Sequence, residues 1–145
     1  MNNFANLHNH SSYSLLDGFS QAELMAKTAA EYGQTHLALT DHGHCDNAIN
    51  FMKACEKYNI KPIYGCEFYV VEDAKIKVKG ENRTHLIALA KNETGFQNIL
   101  KMVTKSNLEY SYFRPRIDPE LLLKNSEGII ISTACSASFI RHGWG

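Results

Sequence analysis

Apolar runs and amphipathic stretches alternate along this chain in a βαβα order, and that alternation points to an α/β fold with a mostly parallel sheet flanked by helices. Leu7 to His10 reads as a short strand. Ser20 and Glu23 then have the spacing of a capping box at the head of SQAELMAKTAAEYG, with Gly33 as the natural C′ residue. HLALT supplies the next strand, and NAINFMKACEKYN a helix on which Ile49, Met52 and Cys55 share a face. KPIYGCEFYVV and HLIALAK read as strands on either side of DAKIKVKGENR, whose lysines and Gly-Glu-Asn turn suit a hairpin or exposed loop. Thr94 can cap a helix through GFQNILKMVTKSNL, and Asp118 followed by Pro119 opens a short helix at ELLLK. Gly128 releases GIIIST as a last buried strand, and the tail SASFIRHGWG shows no clear period.

A length of 145 residues with 44% apolar composition fits one domain with a real core. No apolar run is long enough to span a bilayer, and MNNFANLHNH lacks the features of a signal peptide, so a cytoplasmic protein is expected. Cys45, Cys55, Cys66 and Cys135 form no CxxC pair and suggest no disulfide framework. Net charge is zero, but residues 1–74 hold four Lys/Arg against nine Asp/Glu, and residues 75–145 eleven against six. The acidic, His-rich first half suits a cation site and the basic second half a phosphate backbone, although solvated faces would give the same count.

The chemistry-bearing residues recur at strand ends. His8 and His10 stand two apart on a predicted strand, so both imidazoles point to one side, as metal ligands or as a hydrogen-bonded structural pair. Asp41 and His42 follow HLALT, Glu67 follows PIYGC, and Cys135 closes IIIST, at the strand edge where α/β proteins place their sites. A carboxylate among Ile63, Tyr64, Cys66 and Phe68 is costly to bury without a cation or hydrogen-bond partner. Asp17 before Gly18 serves equally as a turn former. His85 begins its predicted strand instead of ending it, and reaches the others only if that strand runs antiparallel. A small zinc site from Asp41, His42, His44 and Cys45 would crowd four ligands into five residues, closer than known ligand spacings.

The segments LHNHSSYSLLDG, LTDHG, IKPIYGCEFYV, THLIALAKNETGFQNI, FRPRID and ISTAC together resemble the successive motifs of the PHP (polymerase and histidinol phosphatase) domain of bacterial replicative polymerase alpha subunits, over roughly residues 5 to 136. The resemblance implies a distorted β/α barrel holding two or three metal ions, with His8, His10, Asp17, His42, Glu67, His85 and Cys135 as ligands and Glu67 bridging two ions. It further implies 3′-to-5′ exonuclease action at DNA 3′ ends and contact with polymerase or proofreading subunits. The family's last Asp/His motif has no match, so a partial barrel is expected, with an open sheet edge that invites self-association. His142 is no assured substitute for the missing His.

Imidazole, carboxylate and thiolate ligands suit zinc, manganese or iron over calcium or magnesium. Two such ions roughly 4 Å apart would hold a phosphate and generate a metal-bound hydroxide nucleophile. Asp41 is then an outer partner orienting an imidazole, and Arg83, Arg114 and Arg116 are candidates for phosphate contact or for plain surface charge. Alternatives to the nuclease are a structural docking module or truncated remnant and a small-molecule phosphatase resembling histidinol phosphatase.

Overall fold

Apolar, β-branched and aromatic residues fill KPIYGCEFYV, and this segment forms the strand on which the sheet is built. The computed structural model describes residues 4–15 and 17–138; Leu16, His142 and the rest of the tail after Ser138 lie outside the described residues. The elements in chain order are α1 (Ala22–Glu31), β1 (His36–Leu39), α2 (Ala48–Lys57), β2 (Lys61–Val70), β3 (Thr84–Ala90), α3 (Glu93–Leu108), β4 (Arg116–Ile117), α4 (Pro119–Lys124) and β5 (Ile129–Thr133). The sheet order is β1-β2-β3-β5, with β4 paired to β2. β1 and β4 run parallel to β2, β3 runs antiparallel to β2, and β5 antiparallel to β3. Only β3 is therefore reversed, and its first residue lies at the edge where β1, β2 and β5 end. Among the described residues no helix is long and apolar enough to cross a membrane.

The two-residue period of β2 and β3 divides the sheet into unlike faces. Cys66, Phe68, Val70, Leu86 and Ala88 face α3 and α4, where they pack with Ile99, Met102, Ile117 and Leu121. Full burial of Phe68 alone contributes about 1.5–3 kcal/mol. α1 and α2 cover β1 through Ala26, Ala29, Leu37, Leu39, Phe51 and Cys55. The alternate residues of β2 and β3, Glu67, Tyr69, His85 and Ile87, share the other face, where Tyr69 lies opposite His85 and Glu67 opposite Ile87.

Several local expectations give way to tertiary contacts. Ser20 does not cap α1: the N-cap is Gln21, without a side-chain hydrogen bond, and Ser20 instead bridges to Ser11. Asn92, not Thr94, caps α3, accepting from Gly95 N at 2.9 Å. On α2 the buried face carries Phe51, Ala54 and Cys55, while Ile49 and Met52 are exposed because β1 and α1 approach from the other side. β5 is not buried: Ile130 is 52% and Ile131 45% exposed, since β5 pairs with β3 alone and its outer side meets no strand among the described residues. Asp118 does cap α4, accepting from Leu121 N at 2.8 Å with Pro119 in the first turn. Gly33, at φ 71°, closes α1 with bonds from Gly33 N to Ala30 O and from Gln34 N to Ala29 O.

Candidate metal centre

LHNH runs beside β1 without forming a regular strand. Ala38 N donates to Asn6 O and Thr40 N to Asn9 O, both at 3.0 Å, but the Asn9 and Thr40 side chains take ladder positions of their own. The expected strand is thus replaced by an extended segment laced with side-chain bonds. It still presents both histidines to one side: His8 Nε2 and His10 Nε2 lie 3.1 Å apart, and they stand 2.6 and 2.8 Å from Glu67 Oε2.

Glu67 is the hub of the remaining geometry. His85 Nδ1 lies 2.9 Å from Glu67 Oε1, because the reversal of β3 carries its first turn of chain to the ends of the other strands. His42 Nδ1 lies 3.9 Å from Glu67 Oε2, and its Nε2 reaches Asp17 Oδ2 at 2.8 Å. Cys135 Sγ is 3.3 Å from His85 Nδ1, at the exposed end of the group. Three overlapping sets, His8–His10–Glu67, His10–Asp17–His42 and His42–Glu67–His85, each hold their donor atoms within 4.8 Å of one another. The fold brings six of the seven residues expected as ligands into these sets, and Cys135 meets them only through His85.

The electrostatics fit a cation. Glu67 is 1% exposed, and its Oε1, together with His42 Nδ1, is buried without a hydrogen-bond partner. Glu67 Oε1 and His85 Nδ1 are 2.9 Å apart but lack the angles of a good hydrogen bond. Burial pushes the Glu67 carboxyl up, yet the facing imidazoles of His10, His85, His42 and His8 hold it far below the usual range. Burial also pulls His10 down, but Glu67, with Asp17 and Asp41 behind it, outweighs this and raises it. His42 is lowered, by burial first, with Glu67 offsetting and His10 reinforcing.

These shifts give a pH signature. His10 is raised above 6.5, so its stabilising pairing with Glu67 is fully present below pH 6.5 and is lost as pH rises through its folded pKa. His42, lowered below 6.5, is neutral in both states over that upper window and adds no slope there. Metal binding needs neutral imidazoles and strengthens over the same rise. Melting temperature from pH 6.5 upward is therefore expected to fall in chelator and to rise with saturating zinc or manganese; parallel curves in the two conditions would contradict the assignment.

Asp41 meets the imidazoles through a serine and not directly. It touches no imidazole; it accepts from Ser11 N at 2.6 Å, Ser11 Oγ at 2.7 Å and Ser14 Oγ at 3.1 Å. Ser14 carries its influence onward, with Oγ 3.1 Å from His10 Nδ1 and accepting from His42 N at 3.0 Å. A carboxylate only accepts, so the single Ser14 hydroxyl proton goes to Asp41 and His10 Nδ1 must supply its own. His10 is thereby held with its proton on Nδ1 and a free lone pair on Nε2, facing Glu67. Ser14→Ala is expected to weaken metal binding about 10–100-fold, the range for an outer partner, with Ser14→Thr closer to wild type. Nitrogen shifts of His10 in the metal-free protein check this, since a purely structural role leaves its tautomer unchanged.

Of the three arginines, Arg116 is not available to phosphate. It is fully buried, donating from Nε to Tyr110 O at 2.9 Å, from Nη1 to Ile76 O at 3.0 Å and to Glu81, and from Nη2 to Ala74 O at 2.9 Å. Arg83 lies 3.6 Å from Glu81 Oε1. Arg114 is exposed, its guanidinium 5.9 Å from the centre of the Tyr69 ring. Tyr69, which the sequence reading missed, stacks on His42 at 5.3 Å and meets His85 edge-on at 5.0 Å. Its place two residues after Glu67 on one strand was the available signal.

A sheet with a His- and carboxylate-rich cluster at its strand ends defines the class, and the sequence model of the PHP domain matches residues 6–143: the chain belongs to the PHP domain family. It is similar to the DNA polymerase III subunit alpha of Treponema pallidum, 44% identical over 138 residues, covering 92% of this chain and 12% of that protein. The same subunit of Borreliella burgdorferi is 45% identical over 141 residues, covering 94% of this chain and 12% of that protein. The chain thus spans about an eighth of the length of these relatives. In fold it is similar to a crystal structure named as a metal-dependent phosphoesterase from Bifidobacterium adolescentis, with a TM-score of 0.51 and 17% identity over 72% of this chain and 34% of that one.

Proposed function

We propose that this chain is a metal-dependent phosphoesterase module of a replicative polymerase alpha subunit, and that it hydrolyses phosphodiesters at DNA 3′ ends. The observation that carries this reading is the buried Glu67 carboxylate, whose two oxygens face different imidazoles: Oε2 faces His8 and His10, and Oε1 faces His85. That arrangement offers two adjacent cation positions sharing one carboxylate, with Asp17, His42 and Cys135 completing a mixed donor set suited to zinc, manganese or iron.

Divalent ions bound there would polarise a phosphoryl oxygen and acidify a water. The chain's own residues do the rest. Ser14 and Asp41 keep the His10 proton on Nδ1 and its Nε2 lone pair toward the cluster. Tyr69 packs on His42 and His85 and limits their rotation, while the Arg114 guanidinium over Tyr69 supplies positive charge to orient a phosphate at the rim.

A second reading, a docking module for polymerase or proofreading partners, draws support from an apolar groove between α2 and α3 lined by Ile49, Met52, Pro62, Tyr64 and Phe96. Release of nucleotides from a 3′-labelled DNA strand, compared with hydrolysis of p-nitrophenyl phosphate, each with added manganese or zinc and with chelator, separates the readings. Metal-dependent loss of 3′ nucleotides supports the nuclease; turnover of the small ester alone supports a phosphatase. Metal binding without either activity supports docking.

A further inference from the structure

The segment joining α3 to β4 reaches the rim of the metal centre and carries an unusual aromatic. Phe113 holds φ 57°, in the left-handed region that bulky side chains avoid, yet its ring is 77% exposed instead of buried. Strain kept without burial points to a contact made outside the fold. The segment is firmly held: Arg116 anchors its end through the buried bonds described above, and Pro115 packs where any side chain at Gly43 would clash. Asn107 Nδ2 donates to Gly43 O at 2.8 Å from the adjoining helix. The Phe113 ring lies 4.5 Å from that of Tyr112, and Arg114 next to it lies over Tyr69, which stacks on His42. Through its neighbour in sequence, Arg114, Phe113 is therefore set beside the Tyr69 ring and the imidazoles it packs on.

We infer that Tyr112, Phe113 and Arg114 form a grip for a single-stranded nucleic-acid end, with Phe113 stacking on a nucleobase and Arg114 pairing with the phosphate next to the one presented to the cluster. This rests on the phosphodiesterase reading of the centre. Bases of a single strand offer free faces to an aromatic ring, whereas those of a duplex are stacked on one another, and an adjacent arginine meets the charge that accompanies each base. A protein partner would seat Phe113 among apolar neighbours, but the residues flanking the Tyr112–Phe113 pair are Ser111 and Arg114, both exposed.

The test is fluorescence anisotropy of the full chain in chelator, so that turnover does not enter, with labelled oligothymidylate and an abasic strand of equal length. Wild type is expected to prefer the thymidylate by about ten-fold, the scale of one stacked base. Phe113→Ala should lose that preference, Phe113→Trp should restore it, and Arg114→Ala should weaken both strands alike. Equal affinity of wild type for the two strands, no binding of either, or an unchanged preference in Phe113→Ala overturns the inference. Turnover of bis(p-nitrophenyl) phosphate by metal-loaded wild type reports separately on the phosphodiesterase reading: turnover without base preference leaves that reading standing and removes the grip. Base preference without turnover of this ester or of a DNA strand removes the phosphodiesterase reading and, with it, the grip's role in presenting an end for cleavage.

Discussion

Glu67→Gln is expected to abolish any stabilisation by added zinc or manganese while leaving the metal-free chain folded. The substitution keeps the shape of the side chain but replaces the carboxylate on which the imidazoles converge, and an amide nitrogen carries no lone pair for a cation. At a thousand-fold excess of ion over its dissociation constant, a bound ion stabilises by about 4 kcal/mol, and that increment should vanish from melts of the variant. The phosphoesterase activity proposed above should fall by more than the about 10–100-fold typical of losing an outer partner, because Glu67 faces all three of the closest imidazole nitrogens. Metal content per chain, measured after dialysis against trace zinc, is the direct check. Retention of the wild-type metal complement by Glu67→Gln would remove Glu67 from the centre.

Arg116→Ala is expected to cost stability on a different scale and for a different reason. The guanidinium satisfies the carbonyls of Tyr110, Ile76 and Ala74 and pairs with Glu81, all from a position with no solvent exposure. Truncation leaves the Glu81 carboxylate, 9% exposed, with Arg83 at 3.6 Å as its remaining cation and frees the three carbonyls, a loss of about 3 kcal/mol, the low end of the range for breaking a buried pair. Arg116→Lys should recover only part of it, since an ammonium cannot reach partners spread around a planar fork. Chemical denaturation of the three proteins measures both steps. The loop at residues 73–83 and the segment at 110–115 are tied through this one side chain, so the variant should also expose both to proteolysis before global unfolding. A loss below 1 kcal/mol would mean that these hydrogen bonds are replaced by water at little cost.

The alternation of apolar runs with amphipathic ones was enough to read the α/β class from the sequence, because strand and helix periods differ and each must bury one face. The strand character of HLAL, KPIYGCEFYV and THLIALA, the Pro119 helix and the Gly33 terminus follow from local backbone preference. The ligand-type residues at strand ends were legible in the same way, and so was their resemblance to one family. Which cap closes α1 or α3 was not legible, because Ser20 and Thr94 compete with neighbours for partners that only folding brings near. The sequence alone left the direction of the His85 strand open; the antiparallel pairing of β3 with β2 brings His85 to Glu67. It also presented Arg116 and Arg114 as equals, whereas packing buried the first as a structural tie and left the second over Tyr69 at the rim. The linkage of Asp41 to His10 through Ser14 was likewise decided in three dimensions. Residue type and period act over a few neighbours along the chain and settle what each segment can form. Strand direction, burial and the sharing of hydrogen bonds depend on groups tens of residues apart, and only the tertiary structure decides them.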